Sequence, residues 1–433
     1  MSVFGDVREG EGGTALLLML NVFLLLMAYY LLKVAREPLI LTDGGGAAIK
    51  SYASVGQSLL LIPAVAGYDW LAGKVGRMAL AFWVTLFFVG CLVAFFLLGE
   101  AGAPVSIPFF LWVGIFNVSA VAQFWSFAAD IYPEEAGKRL FPVIGIGSSI
   151  GAVAGAWVAE LLIAIGPYKL MLLAAALLVG SLGVTFVVNQ REGTAKRGTQ
   201  GAEGGGGGRG NKEAPIGGDS GAKLLLRDRY LLLFAALILV LNVITKTGDY
   251  VLDTELIEAA KRAGGDAKAY IGHYKANYFA WVNGAGVVLQ LFFVSRIIKH
   301  LGMRTALVIM PVVSLIGYGV TFLFPVLGVI FWARVGESSL DYSLSNTTRQ
   351  TLWLVTSREV KYKVKQVIDS FVVRIGDAGS AGLVWVGVQT HLSLRGFIVA
   401  NLLLSGLWLV IAIALGRSYY ERAQHHPEAA KLA

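Results

Sequence analysis

Apolar segments of about 20 residues alternate with short polar segments along almost the whole chain, and about 20 residues of α-helix cross the hydrocarbon core of a bilayer. The pattern predicts an all-α polytopic membrane protein with twelve transmembrane helices in two six-helix bundles. The predicted spans of the first bundle are Ala15–Leu32, Tyr52–Ala72, Met78–Leu98, Ile107–Ala129, Leu140–Ile165 and Tyr168–Val188. Those of the second bundle are Tyr230–Leu252, Tyr270–Ile298, Thr305–Phe324, Val326–Leu344, Val367–Val388 and Leu394–Leu415.

A polar, glycine-rich segment, Gln190–Ala222, separates the two sets of spans. It contains the run Gly204–Gly208 and almost no large apolar residues. This composition is typical of a flexible linker, for which the expected r.m.s. span is roughly 30 Å. We therefore predict an N-terminal bundle over residues 1–189, a cytoplasmic linker over residues 190–222 and a C-terminal bundle over residues 223–433.

Composition and charge placement agree with this membrane protein. Hydrophobic residues make up 56% of the 433 residues, and the mean hydropathy is +0.68. If the N-terminus lies inside, 24 Lys and Arg residues fall in the cytoplasmic segments and seven fall in the outer segments. This asymmetry predicts cytoplasmic termini and a bacterial inner-membrane location. It also explains the net charge of +8 without nucleic acid as a partner.

The chain offers no motif of a soluble enzyme. Its one cysteine, Cys91, excludes a disulfide framework, and its five histidines lack the spacing of metal ligands. We expect neither a metal nor a cofactor, and no enzymatic activity. No cleavable signal is evident, because Ala15–Leu32 runs directly into charged residues.

The first predicted helix ends in a cluster of charged residues. Lys33, Arg36 and Glu37 are three and four residues apart, so they share one helix face. Tyr29 and Tyr30 lie one turn earlier. Charged side chains at bilayer depth are costly and usually face a polar cavity, which favours an anion-binding patch. The alternative is that the long side chains snorkel to the outer interface beside an aromatic belt.

Charged clusters recur in the second half of the chain. They are Lys246, Asp249 and Asp253; Arg334, Glu337 and Asp341; and Asp369, Arg374 and Asp377. Opposite charges at these spacings can neutralise each other inside a bundle, so structural pairing is one interpretation. In these clusters the acidic residues are at least as numerous as the basic ones. This suggests switchable ion pairs or proton coupling, and not a site that only attracts anions.

Two loops and one helix indicate how the spans are organised. The loops Asp69–Arg77 and Arg296–Arg304 follow spans two and eight, and each places a glycine close to an arginine. Their equivalent positions indicate a parallel six-plus-six repeat, and the first resembles a loop of the major facilitator superfamily.

In the fifth span, Gly147, Gly151 and Gly155 are four residues apart, a spacing that predicts close contact with another helix.

Three segments of the chain resemble the nucleotide transporter family, the bacterial and plastidial ATP/ADP exchangers. Tyr30–Glu37 is similar to the family's first-helix pattern of two basic residues followed by an acid. Trp125–Pro142 resembles its most recognisable stretch, and Tyr342–Gly376 resembles the signature of its tenth and eleventh helices. The resemblance implies a facilitator-like transporter that exchanges nucleotides, or other phosphorylated anionic metabolites, by alternating access.

This resemblance, taken with the charged clusters, leads us to expect two groups of site residues. The first would bind the substrate anion, and the second would gate the pathway or couple transport to ions. The expected substrate-binding residues are Lys33, Arg36, Lys246, Arg374, Tyr29 and Tyr30. The expected gating or coupling residues are Glu37, Asp130, Asp249, Glu337 and Asp377. Arg374 would be either an anion contact or a structural partner of Asp377.

The chain departs from the family pattern in its second half. The exchangers typically have acids where Asn346 and Gln350 stand, and an acid where Asn242 stands. They tend to have a lysine where this chain has Asp377. These changes leave the predicted fold unaffected. They alter the charge pattern of the second half, so the resemblance does not predict selectivity for ATP and ADP.

Two other functions are compatible with the residues. A proton-coupled facilitator of an unrelated small metabolite is favoured by the abundant membrane acids. A membrane enzyme or lipid-handling protein is disfavoured, because the chain has no substantial extramembrane domain, metal cluster or activated nucleophile. The expected partners are therefore a small anionic molecule and the lipid bilayer, and the chain is expected to act as a monomer.

The linker provides a test of topology. A cysteine placed at Ser220 in a background without Cys91 should react with an impermeant thiol reagent only from the cytoplasmic side, because basic loops are retained there. Labelling of intact cells and of inverted membrane vesicles measures this. Reaction in intact cells would invert the predicted orientation.

Overall fold

The computed structural model describes residues 11–132, 134–199 and 220–424, and these residues form fifteen α-helices. In the first half they are α1 (Glu11–Thr42), α2 (Gly46–Ala72), α3 (Arg77–Glu100), α4 (Ser106–Ile131), α5 (Glu134–Leu162) and α6 (Pro167–Thr199). They continue as α7 (Gly221–Arg227), α8 (Arg229–Ala263), α9 (Ala267–Val288), α10 (Ser295–Leu323) and α11 (Leu327–Leu340). The last are α12 (Asn346–Thr351), α13 (Arg358–Val367), α14 (Val373–Gln389) and α15 (Leu394–Ala423).

The predicted all-α membrane fold is confirmed. Within the described residues, nine helical stretches are long and apolar enough to cross a membrane. One of them, Ala267–Leu323, has 57 residues and covers two predicted spans. Its backbone leaves the helical region at Gly302 (φ 76°, ψ 166°), which separates those two spans. The structure therefore supports a polytopic protein without fixing the number of spans at twelve.

Three helices of the second half are interrupted by wider π-helical turns. These turns are Leu289–Val294, Asp341–Ser345 and Ile368–Val372. Insertions of this kind often mark functional segments of a helix. Two of them begin at or contain an acid that the sequence had already singled out, Asp341 and Asp369.

Backbone contacts divide the chain into two units. Unit 1 consists of Met1–Gly44, Leu59–Glu213 and Asp266–Ala280. Unit 2 consists of Gly45–Ser58, Ala214–Gly265 and Trp281–Ala433. Unit 1 thus includes the beginning of α9, from the second half of the sequence, and unit 2 includes the beginning of α2, from the first half.

The three-part division by sequence remains a prediction. Helix α6 continues to Thr199, inside the segment expected to be the linker, and α7 begins at Gly221. The intervening residues 200–219 lie outside the described part of the chain.

In unit 1, α1 is the central helix and packs against α4, α5 and α6. Its contact with α5 is close because α5 presents glycines to it. An added Cβ at Gly147 or Gly151 would overlap the carbonyl oxygen of Met19 or Phe23, and one at Gly155 would lie 2.7 Å from that of Met27. The helix contact expected from the glycine spacing is therefore confirmed.

In unit 2, α8 packs against α11, α14 and α15. Large side chains fill the space between these helices, and Tyr230, Phe234, Phe397, Trp408 and Tyr419 are all almost fully buried. This packing holds α8 in place along its length, which matters because α8 carries several of the charged residues described below.

The α1–α5 contact gives a stability prediction with a matched control on the same helix. Gly151→Ala should lower the melting temperature, because the new methyl group forces two backbones apart at a cost of about 1–3 kcal/mol. Gly145→Ala should not lower it, since an added Cβ there meets nothing within 4 Å and alanine favours a helix. Thermal unfolding of the purified variants in detergent measures both. Equal melting temperatures would contradict the proposed close packing.

Candidate functional site

Lys33 lies in unit 1 inside a cage of aromatic rings. Its Nζ is 4.2 Å from the ring centroid of Phe279, 4.9 Å from that of Tyr30 and 5.9 Å from that of Tyr29. The residue is only 8% exposed. A cation over aromatic faces is attracted by their negative quadrupole. A snorkelling lysine would instead keep its ammonium group in water.

Glu37, one turn further along α1, is buried between two cations. Its carboxylate lies 3.3 Å from Nε of Arg36 and 3.6 Å from Nζ of Lys275. The side chains of Glu37 and Lys275 are 1% and 3% exposed. The guanidinium of Arg36 also lies 4.7 Å from the ring centroid of Phe110. A buried carboxylate needs such partners, because burial of an unpaired charge costs several kcal/mol.

Three cations of unit 1 are grouped around Glu37. Arg36 and Lys275 pair with its carboxylate, and Lys33 lies one turn earlier on the same face of α1. A second acid, Glu160, accepts a hydrogen bond from Asn277 at 3.4 Å. Basic side chains that are grouped in an apolar helix bundle can be stabilised by a bound anion.

Sequence reasoning missed Lys275. It is a lone lysine within a long apolar segment, without a second charge three or four residues away. The rule that singled out Lys33 applies to it as well, since a charge at bilayer depth is a candidate for function. Its partner, Glu37, is more than two hundred residues away in the sequence, so the pairing itself had no local signal.

The structure places Asp130 at the end of α4 with its side chain 58% exposed. Its carboxylate is 3.9 Å from Arg77 at the beginning of α3. Arg77 also donates a hydrogen bond to Asn189 at 2.9 Å and lies over the ring of Phe127. An exposed ion pair of this kind contributes about 0–1 kcal/mol to stability, so Arg77 holds the carboxylate of Asp130 only weakly.

In unit 2 the best-built cluster is centred on Arg334, whose side chain is 3% exposed. Its Nη2 donates to Oδ1 of Asp249 at 2.6 Å and to the carbonyl oxygen of Thr245 at 3.1 Å. Its Nη1 donates to Oε2 of Glu337, one turn along α11. The arginine thus joins α11 to α8 and forms ion pairs with an acid on each helix.

Hydroxyl groups of α10 complete this cluster. Ser314 and Tyr318 donate to the carboxylate of Glu337 at 3.2 and 3.4 Å. Gly248 makes room for them on α8, since an added Cβ there would overlap the Tyr318 hydroxyl and lie 2.7 Å from Arg334. A cavity of about 10 Å³ beside these groups has room for about one water molecule.

A second arginine of unit 2, Arg374 on α14, lies in a triad with Ser58 and Asp377. Its Nη1 donates to Oγ of Ser58 at 2.7 Å and is 3.4 Å from Oδ2 of Asp377. The Ser58 hydroxyl in turn donates to that carboxylate oxygen at 2.8 Å. Asp377 is buried, and Arg374 remains one-third exposed. The structure therefore pairs Arg374 with Asp377.

The two remaining charges of α8 differ in their contacts. Asp253 is buried and pairs with Lys50 of α2 at 2.7 Å. Lys246 is half-buried, and no ion pair or hydrogen bond from its side chain is found among the described residues. Lys246 is therefore a cation of unit 2 that a ligand could engage without first displacing an acid.

The fold is similar to that of solved structures of transporters. The chain superposes on a bacterial homologue of the human lysosomal transporter Spinster, in an inward-facing and unoccupied conformation. That superposition has a TM-score of 0.62 with 14% identity, covering 96% of this chain and 99% of that one. The nucleoside transporter NupG gives a TM-score of 0.64 with 13% identity, covering 93% and 98%. These likenesses establish the fold alone.

In sequence, the chain is 23% identical over 350 residues to ADP,ATP carrier protein 1 of Chlamydia pneumoniae. The match covers 70% of this chain and 65% of that carrier, so the chain spans just under two thirds of its curated relative. No model of a known protein family matches the chain. The resemblance to nucleotide transporters, related to the facilitator superfamily, is thus confirmed as a distant one. The proteins found are transporters, which supports the expectation that the chain is not an enzyme.

The Glu37–Lys275 pair gives a second prediction. In a double-mutant cycle of Lys275→Met and Glu37→Gln, we expect a coupling energy of about 1–3 kcal/mol, because the pair is buried and each single change leaves a partner behind. The exposed Lys261–Glu258 pair of α8, changed to Met and Gln, is the matched control and should couple by less than about 0.5 kcal/mol. Unfolding free energies in mixed micelles measure both cycles. Equal coupling in the two cycles would show that burial does not strengthen the first pair.

Proposed function

We propose that this protein is a secondary transporter that exchanges nucleotides, or other phosphorylated anionic metabolites, by alternating access. The observation that carries the proposal is the grouping of three basic residues, Lys33, Arg36 and Lys275, around Glu37 inside apolar helices. The distant likeness to an ADP,ATP carrier supports a nucleotide as the anion. Lys33 and Arg36 bind the substrate phosphates, and Tyr29 and Tyr30 offer ring faces and hydroxyl groups beside them.

Substrate and Glu37 compete for the same cations in this mechanism. Charge-assisted hydrogen bonds to a phosphate contribute roughly 1.5–3 kcal/mol each, which is enough to replace the bonds that Glu37 now accepts. Arg36 and Lys275 then turn from the acid to the phosphate. Glu37 is released as a consequence, and its pairing state reports whether substrate is bound.

Ion pairs between early and late segments of the chain supply the gate. Within unit 1, Lys275 of α9 pairs with Glu37 of α1, and Lys268 of α9 pairs with Asp43, which directly follows α1. Within unit 2, Lys50 of α2 pairs with Asp253 of α8. In the proposed cycle these pairs break and form again each time the site changes its side of access.

In this mechanism the same group of cations favours exchange over one-way movement. Reorientation carries Lys33, Arg36 and Lys275 through a low-dielectric region, where each charge that is not fully neutralised costs several kcal/mol. A bound anion removes that cost. The loaded protein therefore reorients readily and the empty protein slowly, which is the behaviour of an exchanger.

One observation favours a second function, a proton-coupled transporter of an unrelated small metabolite. In unit 2, Arg334 is shared by two acids, Asp249 and Glu337. A cluster with more acids than bases can take up a proton, as transporters that use proton gradients require. We place the termini in the cytoplasm on the strength of the basic loops, and we propose a bacterial inner membrane because of the likeness to a carrier of Chlamydia pneumoniae.

The test is exchange of labelled ADP, ATP and sugar phosphates in proteoliposomes. Lys33→Ala and Arg36→Ala should each weaken exchange of the accepted anion about tenfold or more, because each removes a bond worth at least ~1.4 kcal/mol. Lys361→Ala, on α13 outside the cluster, should change it little.

The nucleotide proposal fails if purified, folded protein neither binds nor exchanges any phosphorylated compound. If an imposed proton gradient then drives uptake of an uncharged solute, the second function takes its place.

A further inference from the structure

The two acids that share Arg334 are held in different ways. Glu337 is buried, with its side chain 4% exposed, and is fixed by hydroxyl groups of Ser314 and Tyr318. Asp249, on the other edge of the guanidinium, has its side chain 37% exposed. Glu337 therefore lies in the packed interior, and Asp249 lies at the surface of the unit.

Within the described part of the chain, Arg334 forms ion pairs with two acids, Asp249 and Glu337. Nearby charges of α8 and α14 are engaged elsewhere, since Asp253 pairs with Lys50 and Arg374 with Asp377. Lys246, three residues before Asp249, is half-buried. If the Asp249 carboxylate leaves, Arg334 and Glu337 remain as a neutral buried pair, so the cluster can lose this acid without leaving an uncompensated charge.

We infer that Asp249 is a tethered substitute for the substrate anion, and that Arg334 is an anion-binding residue of the second half. Carboxylate and phosphate oxygens both accept hydrogen bonds from a guanidinium edge in the same plane. An arriving phosphate takes the position on Nη2 that Asp249 now occupies at 2.6 Å. Glu337, Ser314 and Tyr318 hold the other edge fixed, so the arginine is already oriented. This inference rests on the proposed function and adds to it a second-half site.

The small cavity beside the cluster does not hold the anion. Its volume of about 10 Å³ admits about one water molecule and not a phosphate group. The anion must therefore bind at the exposed edge, where the carboxylate of Asp249 lies. Arg374 is a poorer candidate for the same role, because its acid, Asp377, is only 7% exposed and is fixed by the hydroxyl of Ser58.

The test is a gain of affinity, which damage to the structure would not produce. Asp249→Asn should bind ADP and inorganic pyrophosphate about tenfold more tightly than the unaltered protein, because the internal competitor is gone. Asp249→Glu keeps the charge and should show no gain. Glu255→Gln removes one acid from the same helix, away from Arg334, and measures the general effect of charge. Isothermal titration of folded protein in detergent gives the affinities.

A double variant assigns the gain to Arg334. In Asp249→Asn with Arg334→Lys, the gain should vanish, because a lysine cannot bind Glu337 and a second anion at once as a planar guanidinium does. Thermal unfolding in detergent verifies that each variant is folded. If Asp249→Asn does not fold, Asp249→Ser is the second neutral variant, with the same expected gain.

The outcomes separate this inference from the proposed function. If the unaltered protein binds ADP and neither neutral variant binds it more tightly than Glu255→Gln does, the inference is wrong and the nucleotide function stands. If no protein binds ADP but Asp249→Asn binds pyrophosphate more tightly, the inference stands and the nucleotide function falls. If no protein binds either anion, both are wrong.

Discussion

Ionised side chains are expensive to bury, and the structure depends on how this chain neutralises those that it places inside apolar helices. Glu37, Lys275, Arg334, Glu337 and Asp253 are each at least nine-tenths buried. Each of them is paired with an opposite charge, because an isolated ion in this environment would cost several kcal/mol. The ion pairs also link helices that are distant in the sequence, so neutralisation and tertiary packing are the same constraint.

The buried ion pairs of the two units differ in composition. In unit 1, two cations, Arg36 and Lys275, pair with one acid, Glu37. In unit 2, one cation, Arg334, pairs with two acids, Asp249 and Glu337. Cations grouped on one acid favour a bound anion, and acids grouped on one cation favour an acid that can be displaced or protonated. The proposed exchange mechanism uses both.

Much of this fold was predictable from hydropathy. The segments expected to be α1, α3, α4 and α15 begin and end within a few residues of the observed helices or inside them. Gly147, Gly151 and Gly155 predicted a close contact of α5 with another helix, because glycine spacing reports how closely two backbones can approach. The structure identifies that helix as α1. The break at Gly302 lies in the loop Arg296–Arg304 that was predicted between two spans. The three π-helical turns were not predicted, since they depend on packing and leave little trace in local hydropathy.

The candidate site was predictable only in part. Lys33, Arg36 and Glu37 share a helix face, so their proximity follows from their spacing. The pairing of Glu37 with Lys275, and that of Asp249 with Arg334, joins residues far apart in the chain. Hydropathy and spacing carry no information on which helices become neighbours. For the same reason, the sequence left open whether Arg374 meets an anion or Asp377, and the structure places it on Asp377.

The central claim is that a bound anion is needed for the protein to reorient. The most direct measurement is uptake of labelled ADP into proteoliposomes that are either empty or filled with unlabelled ADP, with no ion gradient imposed. An exchanger whose cations need an anion should take up label rapidly into filled vesicles and very slowly into empty ones. Equal uptake into both, or uptake that requires a proton gradient, would contradict the account.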